Sequence, residues 1–127
     1  MKKLFVSVPM KGREENEIKD SIQKMKKVAE IYEGEELELI DSYIEHNPPK
    51  NTHEAVWYLG EAIKKMAEAD VFIGIDSDYE WSGCAIEGDV ARRYGIKSYR
   101  VCAECLISNY RDLVHNNHRI ACATPLF

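Results

Sequence analysis

One stretch of the chain decides the fold: VFIGID at residues 71–76, followed by SGCAIE at residues 82–87. The first segment is a short apolar run typical of a buried strand, and the second opens a helical run from Ala85 to Tyr94. A helix that begins where a buried strand ends lies at the carboxyl edge of a sheet, where open α/β sheets bind small ligands. Gly83 would let a ligand approach the backbone, and free N–H groups there favour a polar or anionic group. Glu87 is therefore the first candidate for chemistry.

The rest of the chain alternates strands and helices in the same way. Apolar runs predict strands at residues 4–8, 37–41, 71–75, 96–102 and 119–123. Amphipathic spacing predicts further helices at residues 14–32, 54–68 and 106–114, and residues 42–53 form one long irregular loop. This alternation predicts one domain over residues 1–127, built on a parallel, doubly wound sheet with right-handed crossovers.

Composition narrows the classes of partner and the cellular location. The 127 residues carry a net charge of -5 and no basic stripe, which argues against a nucleic-acid polymer as partner. No apolar run approaches the length of a bilayer span and no signal peptide precedes the first strand, so no membrane partner is predicted. The 4 cysteines without a secretory signal favour a reducing, cytoplasmic location.

Three segments stand in the order and spacing of a known superfamily. They are VSVPMKGR at residues 6–13, WYLG at residues 57–60 running on to Asp70, and GCAIE at residues 83–87 leading to YGIK at residues 94–97. In these segments the chain resembles the nucleoside 2-deoxyribosyltransferase-like superfamily, most of all its small phage- and bacteria-associated branch of uncharacterised members. The resemblance covers residues 1–99, and the tail from residue 100 onward lies outside it.

The resemblance implies a flavodoxin-like or Rossmann-like three-layer sandwich with a mostly parallel sheet of about five strands. It also implies a homo-oligomer that cleaves or transfers at the N-glycosidic bond of a (deoxy)nucleoside or nucleoside 5'-monophosphate, without a cofactor. The family's glutamate nucleophile carries over to Glu87. In the monophosphate branch a serine and a glycine at the start of that helix hold phosphate, and Ser82 and Gly83 match them in type. Many members carry a tyrosine in the first strand that orients the nucleophile, where this chain has Phe5.

Such a reaction needs a carboxylate nucleophile and a group that protonates the departing base. Breaking the C1'–N bond leaves positive charge on the sugar, so an anion beneath C1' stabilises and captures it. Glu87 must be ionised for this role, and the nearby helix N-terminus is expected to help. Asp76, at a strand's carboxyl end, is the first choice for the second group, and Glu61 is the weaker choice.

The predicted substrate-binding residues follow the first strand, lie on the second helix, or open the third. They are Ser7, Pro9, Met10, Gly12, Arg13, Tyr58, Ser82 and Gly83. Arg13 is the expected anion partner if the substrate carries a 5'-phosphate. The residues after the first strand lie at the expected switch point of the sheet, where they would cover base or phosphate.

Two other interpretations stay open. The first is a catalytically inert nucleotide-binding module of the same fold, motivated by Phe5 in place of the tyrosine. The second is a small zinc-dependent adaptor built on the tail, where Cys102, Cys105, His115, His118 and Cys122 are the ligand types that zinc prefers. Because Cys102 and Cys122 lie in apolar runs, where free cysteine packs as a small hydrophobe, no metal site is predicted.

Overall fold

Four strands and four helices alternate along the chain in a computed structural model that describes residues 1–9, 13–41, 46–76 and 81–106. The elements are β1 (Lys3–Val6), α1 (Glu15–Glu33), β2 (Glu38–Leu39), α2 (Glu54–Met66), β3 (Val71–Asp76), α3 (Ser82–Arg93), β4 (Lys97–Cys102) and α4 (Ala103–Leu106). The four strands form one all-parallel sheet in the order β2-β1-β3-β4. The predicted α/β three-layer architecture is confirmed, with four described strands where about five were expected.

Several element boundaries differ from those expected. The helix that carries Glu87 begins at Ser82, three residues before the predicted start at Ala85, because the Ala85 amide already donates to the Trp81 carbonyl at 2.8 Å. Strand β2 is two residues long, shorter than the predicted strand at 37–41, and it pairs with β1 at one edge of the described sheet. The last described helix, α4, begins at Ala103 and not at residue 106. The rest of the predicted helix at 106–114 and the strand at 119–123 lie outside the described residues.

Alternating side chains on β1 and β3 build two cores, one on each face of the sheet. On the first face α1 packs against a buried aliphatic cluster that includes Leu4, Val6, Val71 and Ile73. On the second face a smaller cluster joins the strands to α2 and α3, and its buried members are Phe5, Met66, Phe72 and Ala91. This division follows from the strand order, because right-handed crossovers to the left and to the right of β1 place helices on opposite faces.

The strand order also fixes where a ligand crevice is expected. The connection after β1 leads to β2 on one side, whereas the connection after β3 leads to β4 on the other. The carboxyl ends of β1 and β3 are therefore the switch point of the sheet. Ser7 stands at this point, one residue beyond β1, and its amide still donates to the Ile73 carbonyl at 2.9 Å.

Candidate active site

A hydrogen bond between side chains joins the end of β1 to α3. The Ser7 hydroxyl donates to Oε1 of Glu87 at 2.6 Å, although the two residues are 80 positions apart in the chain. Ser7 is 1% exposed and Glu87 is partly buried. The distance is typical of an O–H group that donates to an ionised carboxylate. This Ser7–Glu87 pair is the centre of the candidate site.

Strand alternation explains why Ser7 faces α3. Leu4 and Val6 point to the α1 face of the sheet, so Phe5 and Ser7 point to the face that α2 and α3 cover. Ser7 therefore places a buried polar side chain directly after the buried apolar residues of β1, where it meets a helix instead of solvent.

Small residues let α3 approach the sheet closely enough for Glu87 to reach Ser7. Gly88 and Ala91 are the buried residues of the helix. On the strand below, a Cβ added at Gly74 would lie 2.9 Å from Cε1 of Phe72, and one at Gly88 would lie 4.0 Å from the same atom. A larger side chain at Gly74 would therefore displace the Phe72 ring that lies between strand and helix.

The environment of Glu87 opposes its ionisation. Burial raises the pKa of the Glu87 carboxyl, and the hydrogen bond from Ser7 lowers it in part. None of the ion pairs seen among the described residues includes Glu87. The expected help from the helix N-terminus is not realised, because Glu87 is the sixth residue of α3 and the macrodipole acts mainly within the first turn.

Cys84 completes a three-residue cluster with the Ser7–Glu87 pair. It lies three positions before Glu87, and so on the same side of α3. Burial raises the pKa of the Cys84 thiol, Ser7 lowers it in part and the negative charge of Glu87 raises it, and the resulting pKa is about 12. The thiol is therefore protonated at neutral pH.

Other predicted residues lie at the same edge of the sheet as this cluster. Asp76 is the last residue of β3 and is exposed, and its role as the acid stays a prediction. Ser82 and Gly83 are the first two residues of α3, both exposed, and nothing lies within 4 Å of a Cβ built on Gly83. Phosphate binding by these two residues also stays a prediction.

Arg13 is turned into the protein, where its two Nη groups meet protein acceptors while its buried Nε has no hydrogen-bond partner among the described residues. Nη1 donates to the Pro9 carbonyl at 3.1 Å, and Nη2 donates to the Glu17 carbonyl at 3.3 Å and to Ser21 Oγ at 2.6 Å. Burial lowers the pKa of the Arg13 guanidinium, against the effect of the Glu17 and Asp20 carboxylates. In this conformation Arg13 ties the segment after β1 to α1, and its role as a phosphate partner stays a prediction.

The remaining predicted residues on α2 and β1 lie in ordinary environments. The Tyr58 ring packs edge-on against Trp57 with centroids 5.1 Å apart. Glu61 pairs with Lys64 at 3.1 Å. Phe5 is buried, and its ring stacks on Phe72 with centroids 6.0 Å apart. Met10 and Gly12 lie outside the described residues.

Cys102 is the one candidate zinc ligand of the tail whose side chain lies within the described residues. Cys102 ends β4 and is exposed, so the prediction that it packs in a buried strand is wrong; β4 is an edge strand of the described sheet and alternates in exposure. The Cys105 side chain and the residues at 115, 118 and 122 lie outside the described part. Within that part no three His, Cys, Asp or Glu side chains are grouped to hold a metal ion. Nor does any described helix have the length and apolarity to cross a membrane.

Sequence reasoning named Ser7 and Glu87 but did not pair them, and it missed Cys84 and Gly88. Signals for both existed. Cys84, Gly88 and Ala91 recur at helical spacing, which indicates one face of α3 lined by small residues. Glu87 lies beside that face, and this position indicates that its side chain has a polar partner on the sheet.

Comparisons of the chain with family models, with curated proteins and with solved structures give no match. The family resemblance therefore rests on the three motifs described above.

Proposed function

We propose that this protein cleaves or transfers at the N-glycosidic bond of a (deoxy)nucleoside or nucleoside 5'-monophosphate, with Glu87 as nucleophile. The observation that carries the proposal is the Ser7–Glu87 pair: a partly buried carboxylate at the switch point of a parallel sheet, held by a neutral hydroxyl. A carboxylate without a cationic partner is costly to bury, which is typical of functional sites more than of structural ones. The motif resemblance independently assigns the nucleophile to the same residue.

The reaction would proceed in two displacements at the anomeric carbon. An oxygen of the Glu87 carboxylate bonds to C1', and the C1'–N bond breaks with its electron pair passing to the base nitrogen, which takes a proton from an acid. Asp76 is the proposed acid, by its place at the end of β3. Water or a second base then attacks C1', loses its proton, and releases the carboxylate. With water as the acceptor the protein is a hydrolase, and with a second base as the acceptor it is a transferase.

The direct test incubates the protein with a panel of deoxynucleosides and their monophosphates, with and without a second free base, and separates the products. Glu87→Gln is expected to abolish release of the free base, because the amide cannot act as the nucleophile. Asp89→Asn is the matched control, since Asp89 lies on the same helix but is half-exposed and pairs with Arg93 at 2.8 Å. Full activity in Glu87→Gln, or equal losses in both variants, would contradict the proposal.

A catalytically inert nucleotide-binding module is the second candidate, and two observations favour it. Burial raises the pKa of Glu87, which disfavours the ionised form that a nucleophile needs. Phe5 also has no hydroxyl to orient a nucleophile, and its ring is buried in the core. Recovery of an intact ligand after long incubation with wild-type protein, with unchanged calorimetric affinity in Glu87→Gln, would favour this candidate over the enzyme.

The proposal extends to a homo-oligomer in the cytoplasm. Exposed apolar side chains on the two helices of one face, Val56 and Tyr58 on α2 and Ile86 on α3, would be covered by association. Light scattering of the purified chain measures the oligomeric state, and a monomer at all accessible concentrations would contradict this part.

A further inference from the structure

We propose that Ser7 is the positioning residue of this site: its hydroxyl fixes the carboxylate of Glu87 at the carboxyl edge of the sheet. The catalytic consequence rests on the proposed function. The positioning itself rests only on the geometry and can be tested in the ligand-free protein.

The position of Ser7 shows why its hydroxyl matters. It is one of two buried polar residues among the described side chains, and it follows three buried apolar residues of β1. An alanine there would fill nearly the same space without a group to satisfy. The hydroxyl instead meets Oε1 of Glu87 at 2.6 Å.

The protons of the cluster define the direction of the hydrogen bonds. A serine hydroxyl carries one proton and two lone pairs, and an ionised carboxylate only accepts. The Ser7 proton therefore lies on the bond to Glu87, which runs from Ser7 Oγ to Oε1 of the carboxyl group.

The hydrogen bond from Ser7 fixes the orientation of the Glu87 carboxyl group. With Oε1 held by Ser7, rotation of the carboxyl group is restricted and its second oxygen is presented in one direction. A nucleophile held near its reactive geometry gains rate because less freedom is lost when the transition state forms. Ser7 would thereby supply the hydroxyl that Phe5 lacks, from two residues further along the same strand face.

The hydrogen bond from Ser7 also favours the ionised form of Glu87. Burial raises the pKa of Glu87, and the bond from Ser7 is the cause that opposes it. Among the described groups that face Glu87, Ser7 on the β1 side is neutral and the titratable Cys84 on α3 is protonated. Asp76, at the end of β3, and Asp89 and Arg92, further along α3, are not among the causes of the shift.

The first experiment measures the titration of the Glu87 carboxyl by NMR, with Glu87→Gln used to assign the signal. The pKa of Glu87 is expected to rise in Ser7→Ala, because the hydrogen bond to the ionised form is lost. Ser7→Thr, which keeps the hydroxyl, is expected to leave the pKa of Glu87 nearly unchanged. An unchanged titration in Ser7→Ala overturns the proposal, whether or not the protein is an enzyme. If Ser7→Ala does not fold, Ser7→Cys, whose thiol is a weaker donor, decides in its place, and an unchanged titration again contradicts the proposal.

The second experiment measures the kinetics of base release. Ser7→Ala is expected to lower kcat about 10- to 100-fold with little change in KM, because a hydrogen bond to a charged group is lost while the binding surface remains. The acidic limb of the pH profile is expected to move to higher pH. Ser7→Thr keeps the hydroxyl and should restore most of the rate. A rise in KM without a fall in kcat, or no recovery of kcat in Ser7→Thr, would show that Ser7 acts only in packing and would overturn the proposal. Failure of the proposed function would differ: the NMR shift would persist while no variant, wild type included, released base.

Discussion

The two ends of the sheet each hold a buried carboxylate, and their partners differ in charge. At the amino edge, Glu33 closes α1 with a side chain that is 1% exposed. It forms ion pairs with Lys97 at 2.7 Å and Lys2 at 3.2 Å and accepts a hydrogen bond from the Tyr99 hydroxyl. Hydrogen bonds from Lys97 and Tyr99 lower the pKa of Glu33 to about 2, against the opposing effect of burial.

At the carboxyl edge, the pKa of Glu87 moves in the opposite direction because its partner, Ser7, is neutral. The comparison shows what each carboxylate is available for. Glu33 is neutralised by two lysines and stabilises the junction of α1 with β1 and β4. Glu87 has no cationic partner among the ion pairs of the described residues, so a positive charge that develops on a bound sugar would be the strongest partner of its ionised form.

The largest expected effect separates the two carboxylates by activity. Glu87→Gln should lower kcat/KM about a thousandfold or more, whereas Glu33→Gln should leave it nearly unchanged. Stability should show the reverse. Between the ordinary and the raised pKa of Glu87, the folded state holds a proton that the unfolded state releases, so stability falls as pH rises through that window. Glu87→Gln removes this loss of stability with rising pH and should raise the Tm. Glu33→Gln removes the ion pairs with Lys97 and Lys2 and should lower the Tm.

Thermal melts at pH 7 give the Tm of each variant, and the base-release assay at pH 7 gives kcat/KM. A Glu33→Gln variant that lost activity while remaining folded would break the comparison.

The next effect tests the close approach that brings Glu87 to Ser7. Gly74→Ala should destabilise the fold by about 1–3 kcal/mol, because the new methyl group would lie 2.9 Å from the Phe72 ring, which is itself buried. Gly60→Ala is the matched control: nothing lies within 4 Å of its Cβ, and an exposed glycine inside α2 lowers helix stability.

Gly60→Ala should therefore stabilise by about 0.5–1 kcal/mol. Urea unfolding measures both variants. Equal effects of the same sign would mean that the spacing between α3 and the sheet is not tight.

A smaller effect tests whether a substrate lies against the start of α3. Gly83→Ala has no protein atom within 4 Å of the added methyl group, so the Tm should hold or rise slightly. If phosphate or sugar contacts the backbone there, KM should rise about tenfold, because a Cβ would keep the ligand away. An unchanged KM for every substrate in the panel would show that the substrate does not contact the backbone at Gly83.

The smallest effect concerns acid stability at the amino edge. The folded-state pKa of Glu33 is below its ordinary value of 4.5, so the stabilisation is complete above that pH and is lost as the pH falls toward 2. Urea unfolding between pH 6 and 2 should show this slope in the wild type and a weaker slope in Glu33→Gln. Identical slopes would show that other carboxylates dominate acid unfolding.

The sequence predicted the architecture because strand and helix periodicities are local. The runs of apolar residues at 71–75 and the helical spacing after them required no knowledge of the rest of the chain. Boundaries were less accurate where tertiary contacts decide them, as in β2, which pairs with β1 at one edge of the described sheet.

The site was only partly predictable for a related reason. Glu87 and Ser7 were chosen separately, but their pairing depends on how closely α3 approaches the sheet, which Gly74, Gly88 and Ala91 determine together. Arg13 seemed available for an anion, yet Pro9, Glu17 and Ser21 accept its hydrogen bonds. Such competition for donors depends on three-dimensional proximity, which residue types alone do not reveal.

The separation of 80 positions between Ser7 and Glu87 has a consequence for the order in which the chain becomes functional. During synthesis β1 emerges first, but its neighbour β3 and the helix that carries Glu87 follow more than sixty residues later. Contacts between such distant segments form late and slowly. A nascent or truncated chain that ends before α3 therefore contains the central strands but not Glu87, so the Ser7–Glu87 pair cannot form until α3 has been synthesised.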